Sequence, residues 1–86
     1  MGDGPPFRYR ADVIDELKRH GAQPSERTRP ELVHAFVSDV YRHEIRRLRE
    51  RLLREEFPKV EYASRVIDLR KRYRLISVPA REWLER

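Results

Sequence analysis

The 86-residue chain has no cysteine and no asparagine, and it has only three glycines, one threonine and one glutamine. Without cysteine it can form neither a disulfide nor a thiolate metal site. Three scattered glycines do not make a glycine-rich phosphate loop. Its apolar runs extend over a few residues, whereas a helix needs about 20 to cross a bilayer. These absences point away from disulfide-stapled, P-loop and membrane-spanning proteins.

The chain is rich in charged residues. Charged residues make up 41% of the sequence and hydrophobic residues only 38%, so thin helical layers are expected instead of a thick core. The 17 arginines far outnumber the 3 lysines, a skew typical of GC-rich codon usage that does not by itself indicate phosphate binding. The net charge of +5 is unevenly distributed, because residues 42–86 carry fourteen cations against eight anions. The positive charge therefore lies in the C-terminal half.

The beginning of the chain is rich in glycine and proline, a composition that does not pack. It predicts a disordered tail over residues 1–6, followed by a single helical domain over residues 7–86. No apolar segment follows the first methionine, so no secretory signal is expected. Together with the lack of cysteine, this favours a cytoplasmic location.

A first helix is predicted over about residues 11–20. Its apolar residues recur at helical spacing, and three cations in the last turn match the helix dipole. Gly21 follows as the left-handed residue that commonly ends a helix. The apolar positions are Val13, Ile14 and Leu17.

The longest periodic run in the chain predicts a second helix over about residues 29–56, roughly 42 Å long at 1.5 Å per residue. Thr28 and Glu31 have the spacing of an N-terminal capping box, with Pro30 in the first turn. Pro58 ends the run, because proline disfavours a helical conformation in the residue before it. The apolar stripe comprises Val33, Val37, Val40, Tyr41, Ile45, Leu48 and Leu52.

Two shorter helices are predicted after Pro58, over about residues 59–74 and 79–85. The first has a single apolar face, and the second carries Trp83, which we expect to be buried. Short links favour neighbours that run antiparallel to the second helix. The prediction is an all-α, small helical bundle in which antiparallel shorter helices flank a long central helix. The apolar face of the third helix comprises Tyr62, Val66, Leu69 and Tyr73.

Two sets of basic residues form a candidate binding patch. One follows a flank of the second helix and the other lies at the end of the third, and a third helix that folds back brings them together. Such a patch suits a phosphate backbone, an anionic membrane surface or an acidic protein face. The alternative is a solvated surface whose cations complement a helix C-terminus. The residues are Arg42, Arg46, Arg49, Arg70, Lys71, Arg72 and Arg74.

Signatures of catalysis, metal binding and DNA reading are weak. No two histidines have the four-residue spacing of a helical metal site, and Arg47 stands where a His43-Glu44 zincin motif requires a second histidine. Ser38, His34 and Asp39 are neighbours in sequence, but a helix spreads such positions around its axis. The link after Gly21 is too long for a helix-turn-helix. We therefore expect no enzyme activity, metal, cofactor or small-molecule substrate.

Apolar residues beside the main stripe of the second helix are the remaining indication of function. Leu32, Phe36 and Leu53 lie beside the main stripe of the second helix, and short neighbours leave them uncovered unless the packing is complete. Exposed side chains of this kind usually contact a protein, either a second copy or a larger assembly. The sequence thus favours a non-enzymatic protein–protein interaction module or small accessory subunit. The alternative is a nucleic-acid-binding protein that uses the basic patch.

Overall fold

The computed structural model describes residues 6–86, so five of the six residues of the predicted disordered tail lie outside the described residues. The described chain is all-α, as predicted. Its three α-helices are α1 (Ala11–Arg19), α2 (Pro30–Leu53) and α3 (Tyr62–Arg72). Short 3-10 helices cover Lys59–Glu61, Arg74–Ser77 and Ala80–Trp83. The predicted third helix is thus divided into three pieces, and the last predicted helix is a single 3-10 turn.

The first half of α2 belongs to a closed core, which we call the core body. Val33 and Val37 of α2 are buried there with apolar residues of α1 and of the C-terminal segment. Trp83 is fully buried, which confirms its predicted role, and its indole N–H donates to the Val78 carbonyl at 3.2 Å. The remaining members of the core body are Tyr9, Val13, Leu17, Ala22 and Leu75.

An extended arm before α1 closes the core body. Tyr9 forms an isolated antiparallel bridge with Leu84, and the amide of Arg10 donates to the Trp83 carbonyl at 2.9 Å. The Tyr9 hydroxyl donates to the Thr28 carbonyl at 2.6 Å. The sequence does not predict this pairing, because a one-residue bridge has no periodicity to detect. The arm holds the last residues of the chain over the core.

The second half of α2, the turn after it and α3 form a much thinner region, which we call the hairpin. Only Leu48, Phe57 and Leu69 are buried in it. The Phe57 ring lies between two guanidinium groups, with Cζ of Arg65 4.1 Å and Cζ of Arg51 5.6 Å from its centroid. The molecule is elongated, with principal-axis extents of 58 by 17 by 17 Å.

The two ends of α2 differ from the sequence prediction. The predicted capping box is wrong: Arg29 is the N-cap without a side-chain hydrogen bond, and the Thr28 hydroxyl accepts from the Ser25 amide at 3.0 Å. At the other end α2 stops at Leu53, three residues short of the predicted 56. The reason is a Schellman motif, since Glu55 takes a left-handed φ of 60° and reverses the chain before Pro58 is reached.

The chain reverses direction after α1 and after α2, and we call these two turns the helix reversals. They have the same backbone hydrogen bonds but are formed by different residues. After α1, the amides of Gly21 and Ala22 donate to the carbonyls of Lys18 and Leu17, and Gly21 has φ of 79°. After α2, the amides of Glu55 and Glu56 donate to the carbonyls of Leu52 and Arg51. Buried Leu17 and Ala22 accompany the first motif, whereas an exposed Arg51–Glu56 ion pair at 3.1 Å accompanies the second.

Candidate functional site

The hairpin has two broad faces, one on each side of the seam through Leu48 and Leu69. On one side a shallow groove is lined by acidic and basic residues of both helices. We call this the mixed-charge face. Its charged residues are Glu44, Arg47, Arg51, Arg65, Asp68 and Arg72. Its two carboxylates lie among four arginines, so this face has a net charge of +2.

The opposite side of the seam presents a different chemistry, and we call it the cationic face. Residues three, four or seven positions apart project from the same side of a helix, which identifies the members of this face. Half-buried apolar side chains form its floor: Ile45 and Leu52 from α2, and Tyr62 and Val66 from α3. Its rim is cationic and exposed, with Arg42, Arg49 and Arg70.

No carboxylate belongs to the cationic face between Tyr41 and Leu53 of α2, or along α3. Glu44 and Asp68 line the other groove, and Glu61 bonds Arg65 at 3.0 Å, next to Phe57. Within residues 6–86, Arg49 and Arg70 form no ion pair shorter than 4 Å. Arg42 pairs with exposed Asp39 at 2.8 Å, at the end of the rim nearest the core body.

The other four predicted basic residues lie at the border of this face or away from it. Arg46 is exposed toward the outer side of α2, four positions after Arg42 and three before Arg49, so it borders the rim. Lys71, Arg72 and Arg74 line a groove against the end of α1, beside Arg19 and His20. The structure therefore places Arg42, Arg49 and Arg70 around one face and the end of α3 against α1.

Arg74 has a specific partner in that second groove. Its Nη2 atom lies 2.7 Å from Oε1 of Glu16, a carboxylate that is only 12% exposed. Because this ion pair joins α1 to the segment after α3, Arg74 has a structural contact of its own. The arginine was predicted for the binding patch from sequence, where the distant Glu16 partner leaves no signal.

Aromatic rings join the hairpin to the core body at the same place. The Tyr73 ring stacks on His20, which follows the last residue of α1, with centroids 4.2 Å apart, and its centroid lies 5.6 Å from that of Tyr41 in α2. Burial raises the pKa of the Tyr73 phenol above its usual value; Glu44 raises this pKa further, and Arg72 partly offsets the increase. Tyr73 thus acts as the connecting side chain between α1, α2 and α3.

The candidate apolar interface residues are exposed but not adjacent. Leu32 is 64% exposed, Phe36 48% and Leu53 74%. Leu32 and Phe36 are one turn apart on α2, whereas Leu53 follows 21 residues after Leu32, about 31 Å along the helix. Two further exposed residues, Val60 and Ile67, were missed. Their seven-residue spacing, outside the main stripe of α3, was the available signal.

The serine, histidine and aspartate that are neighbours in sequence on α2 have structural partners. Nε2 of His34 lies 2.9 Å from the Ile76 carbonyl, and its ring contacts Trp83 at 5.3 Å. Asp39 bonds Arg42, so Ser38, His34 and Asp39 do not align as a triad. Across residues 6–86, no three histidine, aspartate or glutamate side chains gather in a metal-binding arrangement.

No similarity to a known protein indicates what these surfaces bind. The chain matches no protein-family model, no curated protein and no solved structure. In the part of the chain that the structure describes, no helix combines the length and apolar character needed to cross a membrane. The function therefore has to be inferred from the exposed surfaces of the hairpin and of α2.

Proposed function

We propose that the protein is a non-enzymatic helical module, or small accessory subunit, that binds another protein through α2 and the hairpin. The observation that carries the proposal is the exposure of large apolar side chains on one helix, Leu32, Phe36 and Leu53. Large apolar side chains exposed on a helix are a common feature of protein-binding surfaces, because a partner that covers them removes their area from water. The lack of cysteine suits a reducing, cytoplasmic setting.

A second candidate function is nucleic-acid binding, and the cationic face favours it. Its three rim arginines have no carboxylate between them, as a phosphate-contacting surface requires. The floor of that face is apolar, however, and phosphates gain nothing from Ile45, Leu52 or Val66. A protein partner satisfies both the rim and the floor, so it is the function we favour.

Capture of partners from the native host tests the proposal. The immobilised wild-type chain is compared with the double variant Leu32→Ser, Leu53→Ser, and the matched control is Val60→Ser, Ile67→Ser. Both variants replace two exposed apolar residues, so both should keep the helical circular-dichroism signal. We expect a specific protein to be retained by the wild type and by the control, and lost from the first variant.

Two results would contradict the proposal. One is retention of the same proteins by wild type and by the Leu32, Leu53 variant, which would mean that these side chains are not the interface. The other is recovery of nucleic acid alone, with nuclease treatment removing everything that was bound. In that case the second candidate function would replace the first.

A further inference from the structure

The two broad faces of the hairpin differ in how their charges are balanced. On the mixed-charge face, Glu44 and Asp68 lie among four arginines, and one of these, Arg65, also pairs with Glu61 at 3.0 Å. On the cationic face, Arg42 pairs with Asp39 at one end of the rim, whereas Arg49 and Arg70 flank apolar side chains and form no ion pair shorter than 4 Å within residues 6–86. Arg49 and Arg70 are therefore available to the carboxylates of a partner.

The floor of the cationic face is also incompletely covered. Ile45, Leu52, Tyr62 and Val66 are half-buried between two helices, with no third layer over them in residues 6–86. Two packed helices bury one stripe of each and leave the next apolar positions at the edge of the seam. A third helix laid along this edge is the usual way in which a helical bundle covers such positions.

We propose that the cationic face binds an acidic amphipathic helix of a partner protein. This inference rests on the proposed function and specifies its partner. The apolar side of the incoming helix covers Ile45, Leu52 and Val66, and its carboxylates lie against the rim arginines. Helix-in-groove recognition of this type reads anchors at three-, four- and seven-residue spacing.

The spacing of the rim arginines predicts the spacing of acidic residues in the partner helix. Arg42 and Arg49 are seven residues apart, about 10.5 Å along α2. A helix that lies along α2 presents carboxylates at the same separation when its own acidic residues are seven positions apart. Leucine or isoleucine at the intervening third or fourth position then faces the floor. The partner is therefore an acidic helix with a two-turn repeat.

Charge selects this occupant over a second copy of the chain. Two cationic faces in contact would bring Arg42, Arg49 and Arg70 of each copy against the same residues of the other. Like charges held this close are destabilising, and Asp39, the carboxylate beside the rim, relieves only Arg42. The surface is complementary to an acidic partner and not to itself.

The test uses synthetic peptides as probes for the full chain. The first peptide has about 21 residues, with leucine at helical spacing and glutamate on the flanks, since shorter isolated helices are marginal in water. A second peptide replaces every glutamate by lysine, and a third has the composition of the first in scrambled order. A labelled DNA duplex is the fourth probe. Binding is followed by fluorescence anisotropy at about 0.15 M salt.

Charge reversal locates the site. The test variant is Arg42→Glu, Arg49→Glu, Arg70→Glu, and the matched control is Arg27→Glu, Lys71→Glu, Arg81→Glu, which reverses three exposed cations away from the face. Both have the same net charge. We expect the acidic peptide to bind wild type and control within about twofold, and the test variant about tenfold more weakly, because three rim contacts become repulsive. Circular dichroism checks that both variants remain helical.

Several results would overturn the inference. Equal weakening by both variants would show that only net charge matters, and equal binding of the scrambled or lysine peptide would remove the helix or the acid from recognition. Tighter binding of the duplex, lost in the same test variant, would assign the face to nucleic acid. If no peptide binds while host capture still depends on Leu32 and Leu53, the inference fails and the proposed function stands.

Discussion

The core body and the hairpin are built on the same helix and differ in how completely they are closed. In the core body, Trp83, Leu17 and Val37 are shielded from solvent by α1, the N-terminal arm and the C-terminal segment. In the hairpin, α3 alone covers α2, and Phe57 is enclosed by two arginines in place of apolar neighbours. One half of the molecule is thus closed around an apolar core, whereas the other leaves apolar and charged side chains at its surface.

Among the variants that test this difference between the core body and the hairpin, Trp83→Ala should have the largest effect on stability. Trp83 is fully buried and its loss leaves a cavity at the centre of the core body, so we expect a cost of about 3 to 5 kcal/mol in the free energy of unfolding. Urea unfolding followed by circular dichroism measures it. Trp83→Phe, which keeps most of the ring, should cost less. A loss below about 1 kcal/mol for Trp83→Ala would show that the core body is loosely packed.

Truncation of a buried residue in the hairpin should lower the free energy of unfolding by less. Leu48 is buried against α3, but the thin hairpin can relax around a cavity, so Leu48→Ala should lie near the lower end of the range, about 2 kcal/mol. Leu53→Ala is the matched control, since Leu53 is mostly exposed and should change stability by less than about 0.5 kcal/mol. A similarly small change at Leu48 would disprove the seam between α2 and α3.

The helix reversals offer a pair of opposite predictions. Glu55 has a left-handed φ of 60°, a conformation that costs a side-chain-bearing residue about 1 kcal/mol. Glu55→Gly should therefore stabilise the protein by about that amount. Gly21→Ala should destabilise it similarly, because its φ of 79° is strained for alanine even though nothing lies within 4 Å of the added methyl group.

Thermal unfolding of the two variants checks this pair. Glu55→Ala separates charge from conformation, since it removes the carboxylate but keeps the strained backbone, and it should give no comparable gain. If Glu55→Ala stabilises as much as Glu55→Gly, the benefit comes from the charge, and the two reversals are not equivalent.

The smallest expected effect is the pH response of the arm that closes the core body. Burial raises the pKa of the Tyr9 phenol above its ordinary value of 10.0, and the nearby charge of Glu31 raises it further. The folded state thus holds this proton more tightly than the unfolded state. Its contribution to stability is complete below pH 10.0 and is lost as the pH rises through the folded-state pKa.

Tyr9→Phe tests that contribution. It removes the hydroxyl bond to the Thr28 carbonyl, so we expect a loss of about 1 kcal/mol at neutral pH. Above pH 10.0 the stability difference between wild type and variant should shrink. Urea unfolding of both proteins from neutral to alkaline pH gives the comparison; a difference that stays constant would mean that Tyr9 does not contribute to the pH dependence.

The sequence predicts the helices well because their apolar residues follow helical periodicity. The all-α class, the first helix and the burial of Trp83 are confirmed by the structure. The end of α2 was placed too late, because Glu55 takes the role for which sequence reasoning expects a glycine or proline. The capping box failed since Thr28 binds Ser25 instead of the helix end.

The candidate site was only partly accessible from sequence. Arg42, Arg49 and Arg70 could be selected as basic, but their separation from Lys71 and Arg74 depends on where the seam between α2 and α3 runs. The partner of Arg74 is Glu16, 58 positions away in the chain, and no local pattern indicates such a contact.

The bridge between Tyr9 and Leu84 has a consequence for the order of folding during synthesis. The hairpin consists of contacts between nearby segments, which can form early with little loss of chain entropy. The core body cannot close until Trp83 and Leu84 have left the ribosome, since they fill its centre and pair with its arm. We therefore expect its apolar residues to stay open to solvent until then, whereas the local contacts of the hairpin can form earlier.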